Sequence, residues 1–389
     1  MKEKTSILFT GDIGFDKYMK DKWNDEDLLD TEVSSFLKEC DHLAVNVEGP
    51  LYDVSVSSSQ ATGAASLLHS MDPGVSEFLS GIGADIWNIC NNHIMDAGPD
   101  GIKSTLKIAS DHNAQVLGAG MNINEASAPL IINEAGGIGM IGVGYQRACR
   151  KADEQTPGCF SWSDHDLIRQ RIEEIKSNNR WCIVIAHAGE EFTALPSPYT
   201  RERYISFLEM GADIVIAHHP HVVNNYELIG DKAIFYSLGN FIFDTDYQRS
   251  QYYTEYGILL KLILTEKDYS FESFGIKVDR KKEHIVCCDP PSIFTDVPGD
   301  EYEKLKGLAA AVLIENTKRQ LKYMKPAEFE NATEEDFVNN FYEPLRSGRV
   351  PGETLDMQII YPLSQTARDG TWKESGLPGV VEYMLSQIS

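Results

Sequence analysis

The sequence predicts an α/β protein with a smaller helical region at its C-terminal end, and three observations lead there. Over the first 265 residues, short β-branched runs alternate with amphipathic segments, the pattern of stacked βαβ units or a mixed α/β sandwich. After Asp289-Pro290-Pro291 that alternation stops and the chain turns helix-like. Polar and acidic residues also recur directly after the expected strands. One α/β domain is therefore expected over 1–288 and a helical extension over 295–389.

In chain order, strands are expected at 6–10, 43–47, 86–90, 115–117, 130–132, 138–143, 182–186, 214–217, 222–228, 233–236 and 257–264, with another around 270–278. These runs are short, rich in Val, Ile and Leu, and mostly bounded by turn-forming residues, as buried strands are. Helices are expected at 73–82, 99–112, 164–177 and 200–210. Pro73 follows Asp72 and Pro99 follows Gly98, so each proline falls in a first helical turn, where its missing N–H costs nothing. In the tail, 302–321, 334–346 and 380–388 read as helices. Gly118-Ala119-Gly120 lacks the Lys-Ser/Thr of a phosphate-cradling loop and reads as a tight turn.

Composition narrows the function. The chain has 389 residues, 59 Asp plus Glu against 35 Lys plus Arg, and a net charge of −24. With 42% apolar and 24% charged residues it is globular rather than disordered. No basic stripe exists to displace counterions from a nucleic-acid backbone, and the acidity equally disfavours an anionic membrane surface. No apolar run reaches the about 7–15 residues of a secretory core or the about 20 of a membrane span. The seven cysteines, at 40, 90, 149, 159, 182, 287 and 288, are odd in number and show no C-x-x-C spacing. A disulfide framework and a cysteine zinc site are thus not expected. The expectation is a reduced, cytoplasmic protein without an intrinsic membrane segment.

The chemistry gathers at strand ends. Asp12 follows the first strand, Glu48 the second (with Asn46 inside it), and Asn92 and His93 the third. His187 follows 182–186, His219 and His221 follow 214–217, and Asn240 and Asp244 follow 233–236. Loops at the carboxyl ends of an α/β sheet converge, so six such ends carrying Asp, Glu, Asn or His describe one site. Five of the ten histidines lie there, at 93, 187, 218, 219 and 221. Imidazole mixed with carboxylate and amide oxygen, without thiolate, suits Zn²⁺, Mn²⁺ or Fe. His219-x-His221 is expected to place two rings on the same side of an extended segment. Donor sets of this size are typical of two-metal hydrolases, whose ions sit about 3.5–4 Å apart. His42, His69, His112, His165 and His284 read as structural residues.

These residues carry a resemblance. Phe9-Thr10-Gly11-Asp12, Asn46-Val47-Glu48-Gly49-Pro50-Leu51, Asn91-Asn92-His93-x-x-Asp96-x-Gly98, Gly118-Ala119-Gly120 and His187-x-Gly189-x-Glu191 are its first stretches. Gly211-Ala212-Asp213, then His219-Pro220-His221-Val222, and finally Ser237-Leu238-Gly239-Asn240-Phe241-x-Phe243-Asp244 complete it. Together they resemble the CapA (poly-γ-glutamate biosynthesis) family, distant relatives of the calcineurin-like metallophosphoesterases.

That resemblance implies a four-layer α/β/β/α metallophosphoesterase-like sandwich holding one or two divalent ions (Mn, Zn, Fe or Mg). It places Asp12, Glu48, Asn92, His187, His219 and His221 as ligands, with Glu48 bridging. His93 matches the residue that protonates a leaving group. Asn46, Asn91, Asp96, Glu191, His218 and Asn240 are expected around the substrate. The chain departs from the relatives at Gly14, where their Asp-x-His motif has an imidazole, and from the CapA pattern at Ala188 and Asn224, where Trp and Gln are common.

The function implied is metal-dependent hydrolysis or group transfer on a phosphate- or amide-containing substrate, with a γ-glutamyl compound the family-level expectation. The alternative is a non-catalytic metal-binding subunit of a capsule-synthesis complex. The acid surface favours a small molecule or a short glutamyl or phosphate substrate over a long polyanion. A second copy of the chain or a capsule-synthesis protein is the expected macromolecular partner.

Overall fold

Three alternating blocks of apolar strand dictate where the sheets form. The computed structural model describes residues 2–53, 69–145, 149–333, 336, 363–367 and 370–388. The first sheet contains β1 (Lys4–Gly14), β2 (His42–Val47), β3 (Ala84–Asn88) and β4 (Gln115–Leu117), side by side and all parallel. Two long strands and a short one extend it antiparallel on the other flank of β1: β14 (Tyr256–Thr265), β15 (Tyr269–Asp279) and β16 (His284–Cys288). The second sheet runs β11 (Tyr226–Ile229), β12 (Lys232–Phe235), β10 (Ile214–His218), β9 (Trp181–His187), β7 (Ile138–Gly144) and β6 (Leu130–Ile132). Its inner strands β12, β10, β9 and β7 are parallel, so their carboxyl ends share one edge. β5 (Ala119–Gly120) and β8 (Gly158–Cys159) form a small separate ribbon.

Strand alternation sends side chains to two faces, and both faces of each sheet are covered. Ile7, Phe9, Ala44 and Ile86 from the first sheet share one core with Ile138, Met140, Ile183, Ile185, Ile214, Ile216 and Phe235 from the second. The opposite face of the first sheet packs Leu8, Val45 and Trp87 on α1 (Thr31–Leu37), α2 (Val75–Gly81) and α3 (Gly98–Asp111). The opposite face of the second packs Ile141, Val184 and Val215 on α5 (His165–Asn178) and α6 (Pro198–Met210). Local signals fix these helices. Asp30 accepts a hydrogen bond from the Val33 N–H to cap α1, and Ser197 does the same for Thr200 ahead of Pro198 in α6. Asn122 and Thr245 cap two single turns in the same way, α4 (Ile123–Ala126) and α7 (Asp246–Arg249).

The helical tail completes the inter-sheet core. α8 (Gly299–Met324) buries Tyr302, Leu305, Leu308, Ala309 and Val312, the three- and four-residue spacing of one helix face. That face joins Val380, Tyr383 and Met384 of the last helix (Pro378–Ile388), together with Ile258 and Leu260 of β14. Tyr302 Oη donates to the Pro196 carbonyl at 2.8 Å, tying α8 to the loop ahead of α6.

Several elements differ from the sequence reading. β1 runs four residues beyond Thr10, because β13 (Asn240–Phe243) pairs with it in parallel, matching Asp12 to Asn240. The strand expected at 222–228 begins only at Tyr226; Val222 and Val223 are buried, but only Val223 bridges, singly, to Leu238. α1 and β16 carry too short an apolar pattern to be read in advance. The helix expected at 334–346 lies, but for residue 336, outside the described residues. All seven cysteines are free. No helix among the described residues is long and apolar enough to cross a membrane.

Candidate metal centre

The parallel register delivers the site. Asp12, Asn46 and Asn88 are partners across β1, β2 and β3, and His187 and His218 are partners across β9 and β10. Glu48 leaves β2 immediately, its N–H bonded to the Ile13 carbonyl at 2.9 Å. Gly49, at φ 120°, turns the chain there, a conformation that glycine alone adopts freely. His219 and His221 also have positive φ, 96° and 57°. This corrects the expectation of an extended segment: a left-handed turn through Pro220, not strand alternation, brings the two rings together, with centroids 6.1 Å apart. Such backbone is costly for a side-chain-bearing residue and persists where its surroundings hold it. Here the His219 N–H donates to Asp12 Oδ2 at 3.3 Å.

Glu48 is the pivot. Its Oε1 lies 3.7 Å from His187 Nε2 and 3.6 Å from His221 Nε2. It belongs to two donor groups, Asp12–Glu48–His187 and Glu48–His219–His221, each with its ligand atoms within 4.8 Å of one another. His187 Nε2 lies 2.7 Å from Asn92 Oδ1, which adds the amide oxygen. Asp12 sits 3.2 Å from His218 Nδ1 and 3.4 Å from His221 Nδ1.

Two of these groups have no other partner among the described residues. Glu48 is fully buried, yet neither of its oxygens has a hydrogen-bond partner among the described residues, and the same is true of His219 Nδ1. An unpaired buried carboxylate is among the costliest groups a fold can hold. Burial, with Asp12 and Glu191 nearby, accordingly pushes the Glu48 carboxyl well above its usual range. Burial also pushes His219 down to about 3 and His187 well below its ordinary value, so both rings are neutral, as metal ligands must be. For Asp12, burial acts upward, but His218, His221 and the His219 N–H outweigh it and hold the carboxyl below its ordinary range. One ionised and one orphaned carboxylate among neutral imidazoles fit a divalent cation held between them.

The surrounding residues divide into those aimed at the site and those that hold it. Asn46, Asn91 and Asn240 were expected around the substrate, but their amides are spent within the protein. Asn46 Nδ2 donates to Asp12 Oδ1 at 2.8 Å, and its Oδ1 accepts from Asn88 Nδ2 at 2.8 Å. Asn91 Nδ2 donates to the Val47 carbonyl at 2.7 Å while its Oδ1 accepts from the His93 N–H. Asn240 faces His221 Nδ1 at 2.9 Å through Oδ1 and donates to the Thr254 carbonyl at 2.8 Å. Each positions a ligand or its turn. His218 stays buried beside Asp12. His93 and Asp96 pair beside the site, with His93 Nδ1 2.7 Å from Asp96 Oδ2 and both side chains 14% exposed. Glu191 is bonded by Tyr247 Oη at 3.5 Å.

Other contributors were not legible in advance. Asn88 extends the Asn46–Asp12 relay and gives no signal beyond its place in a strand. Phe192, at φ 61°, lays its ring on His221 at 6.0 Å. Its carbonyl accepts from Asn316 of α8 and Gln387 of the last helix, so the helical tail supports the site. His69, read as structural, pairs through Nδ1 with Asp16 at 2.6 Å and meets the His93 ring edge-on at 4.2 Å.

Gly14 has a packing reason. A Cβ there would overlap the Phe243 ring, which itself lies 4.9 Å from the His221 ring. Gly14→Ala is expected to lower stability by about 1–3 kcal/mol through overpacking. Phe243→Leu in the same chain should recover part of the loss, as urea unfolding of the two variants would show. Equal stability of Gly14→Ala and wild type would contradict this packing.

Comparison with known proteins agrees with the motif reading. The chain is 28% identical over 257 residues to "Capsule biosynthesis protein CapA" of Bacillus anthracis, covering 64% of this chain and 62% of that protein. It is 28% identical over 251 residues to "PGA biosynthesis protein CapA" of Bacillus subtilis (strain 168), covering 63% and 65%. It thus spans somewhat under two thirds of each relative's length. Among solved structures, a hypothetical protein from Thermus thermophilus is similar at a TM-score of 0.43 and 12% identity, covering 70% of this chain and 99% of that one. Residues 6–245, which carry every strand end of the candidate site, match the family described as bacterial capsule synthesis protein PGA_cap, and the chain belongs to that CapA family.

Proposed function

We propose that the chain is a metal-dependent hydrolase or transferase acting on a phosphate- or amide-containing substrate, a γ-glutamyl compound among them, in capsule or poly-γ-glutamate metabolism. One observation carries this reading: a fully buried Glu48 whose two oxygens have no hydrogen-bond partner among the described residues and which belongs to two mixed donor groups of imidazole and carboxylate. The helix–sheet–sheet–helix layering supports a metallophosphoesterase-like sandwich. Asp12, Glu48, Asn92, His187, His219 and His221 would hold one or two divalent ions. Such an ion supplies Lewis acidity and lowers the pKa of water.

The chain's own residues supply the rest. Asn88 and Asn46 fix the Asp12 carboxylate, and Asn240 fixes the His221 ring. The Asp96 carboxylate can only accept, so the neutral His93 ring carries its proton at Nδ1 and leaves Nε2 bare. His93 therefore takes a proton before it gives one to a leaving oxygen.

Elemental analysis of freshly purified protein, with a panel of phosphodiester, phosphomonoester and γ-glutamyl substrates, tests the proposal. Roughly one or two equivalents of a first-row metal or Mg²⁺ and turnover lost on chelation are expected. Absence of both metal and metal-restored turnover would sink it. Gly14, where the relatives' motif has an imidazole and where the Phe243 ring leaves no room for a side chain, favours a non-catalytic metal-binding subunit as the second reading. Metal uptake without turnover on any panel member would establish that one.

A further inference from the structure

We propose that Phe192 is a positioning residue for the His219-Pro220-His221 turn, held in place by Asn316 and Gln387, so that the C-terminal helices set the affinity of the centre for its ion; this rests on the reading of the site given above. Three residues with side chains have positive φ here, His219 at 96°, His221 at 57° and Phe192 at 61°. A bulky aromatic residue seldom adopts such a backbone, and it persists only where surrounding bonds hold it. The Phe192 N–H donates to the Pro220 carbonyl at 2.8 Å, in the middle of the ligand turn. Its ring lies 6.0 Å from that of His221, with planes 26° apart. One strained residue therefore grips the turn twice, by backbone and by ring. Rotating it into an ordinary backbone region would turn the N–H, the ring or both away from their partners.

The hold on Phe192 comes from far along the chain. Its carbonyl accepts from Asn316 Nδ2 of α8 and, at 3.4 Å, from Gln387 Nε2 of the last helix. Phe192, Asn316 and Gln387 are all fully buried. Arg319, three residues further along α8, donates to Asn316 Oδ1 and, at 2.7 Å, to the Gln387 carbonyl. It thereby fixes the Asn316 amide with its oxygen toward the guanidinium and its nitrogen toward Phe192. The guanidinium itself lies over Tyr252, 4.3 Å from the ring centre.

Packing alone does not call for these amides. Asn316 continues the buried stripe of Leu305, Leu308, Ala309 and Val312 at the next four-residue step of α8. A helix face that only filled the core would carry an apolar side chain there, because a buried amide is costly unless its hydrogen bonds are made. The stripe buries apolar groups until it reaches the Phe192 carbonyl, and there it presents a donor. Both donors also lie beyond residues 6–245, the span of the family match. The candidate ligands therefore come from the matched region, while the geometry of one ligand turn is secured from outside it.

The test is calorimetric titration of the metal-free full chain with Mn²⁺, joined to hydrogen exchange of the Phe192 amide in chelator, a readout that needs no ion. Asn316→Leu and Gln387→Leu should each weaken Mn²⁺ binding by roughly 3- to 10-fold, and together by roughly 10- to 100-fold, the value of groups that orient a ligand. The Phe192 N–H should exchange faster in both variants, because its bond to Pro220 opens more often. Phe192→Gly supplies the control, since glycine takes a φ near 60° without strain. In that background Asn316→Leu should lose most of its effect on Mn²⁺ affinity. An equal effect in both backgrounds would mean that α8 only stabilises the fold, and would overturn the inference. Unchanged affinity in both single variants and in their combination would overturn it too, leaving the metal centre intact. Gln387→Leu, in the other helix, carries the same test if Asn316→Leu does not fold. A wild type that takes up no Mn²⁺ overturns the metal centre instead. The Phe192 exchange rate in Asn316→Leu then decides alone whether the tail holds the turn, a faster rate for it and an unchanged rate against.

Discussion

Glu48→Gln is expected to abolish metal uptake and at the same time to stabilise the metal-free protein, by a margin that grows with pH. Both donor groups contain Glu48, so its loss removes a ligand from each. Even the hydrogen-bond partner of a ligand is worth roughly 10–100-fold in affinity, so a shared ligand should cost at least about 100-fold. The stability effect follows from where the proton goes. Burial, with help from Asp12 and Glu191, raises the folded carboxyl well above its ordinary 4.5. In that interval the folded chain holds a proton that the unfolded chain has lost. Stability from this group is therefore complete below about pH 4.5 and falls as pH climbs toward the folded value, by about 1.4 kcal/mol per pH unit. Gln does not titrate. Urea unfolding in chelator should thus find the two proteins similar near pH 4.5 and the variant more stable near pH 8. Between pH 4.5 and the folded value, metal binding to the wild type should release a proton from Glu48, visible as a binding enthalpy that depends on the buffer. A Glu48→Gln protein that keeps its metal, or is less stable than wild type near pH 8, would count against a shared carboxylate ligand.

The convergence of Asp12, Glu48, Asn92, His187, His219 and His221 is legible in the sequence because each lies at, or within a few residues of, the end of a short apolar run, and parallel strands put such ends on one edge. Residue type is legible there; direction is not. Asn91 and Asn240 look like substrate contacts, but whether an amide faces outward or back to a carbonyl depends on turns that one sequence does not display. His219 and His221 were expected to share a face by strand alternation, and they meet instead through two positive φ angles. The supports that arrive from far along the chain leave no local pattern at all. Asn316 reaches Phe192 across 124 residues and Asp16 reaches His69 across 53. His69 precedes a helix by a few residues and has no strand before it, so the strand-end criterion passes it over.

His93→Ala is expected to lower kcat/KM by roughly 10²- to 10⁴-fold on any substrate that the wild type turns over, with metal content unchanged. The separation is the point of the experiment. His93 adjoins Asn92 in sequence, yet it belongs to neither group of candidate ligands and its Nδ1 is committed to Asp96. Burial pushes its pKa down to about 4; Asp96 opposes the shift, and His69 and His221 reinforce it. The ring is thus already neutral across the physiological range. Between pH 6 and 8 the wild-type rate should show no limb that disappears in His93→Ala, whereas a histidine at its ordinary 6.5 would give one. Asp96→Asn removes the largest force holding the value up, so the ring becomes a poorer proton acceptor and turnover should fall, by less than in His93→Ala. Metal loss from His93→Ala would make it a ligand. A limb near pH 6.5 that vanishes with His93 would mean that the ring is protonated at rest, and that it enters the reaction as a donor without first taking a proton.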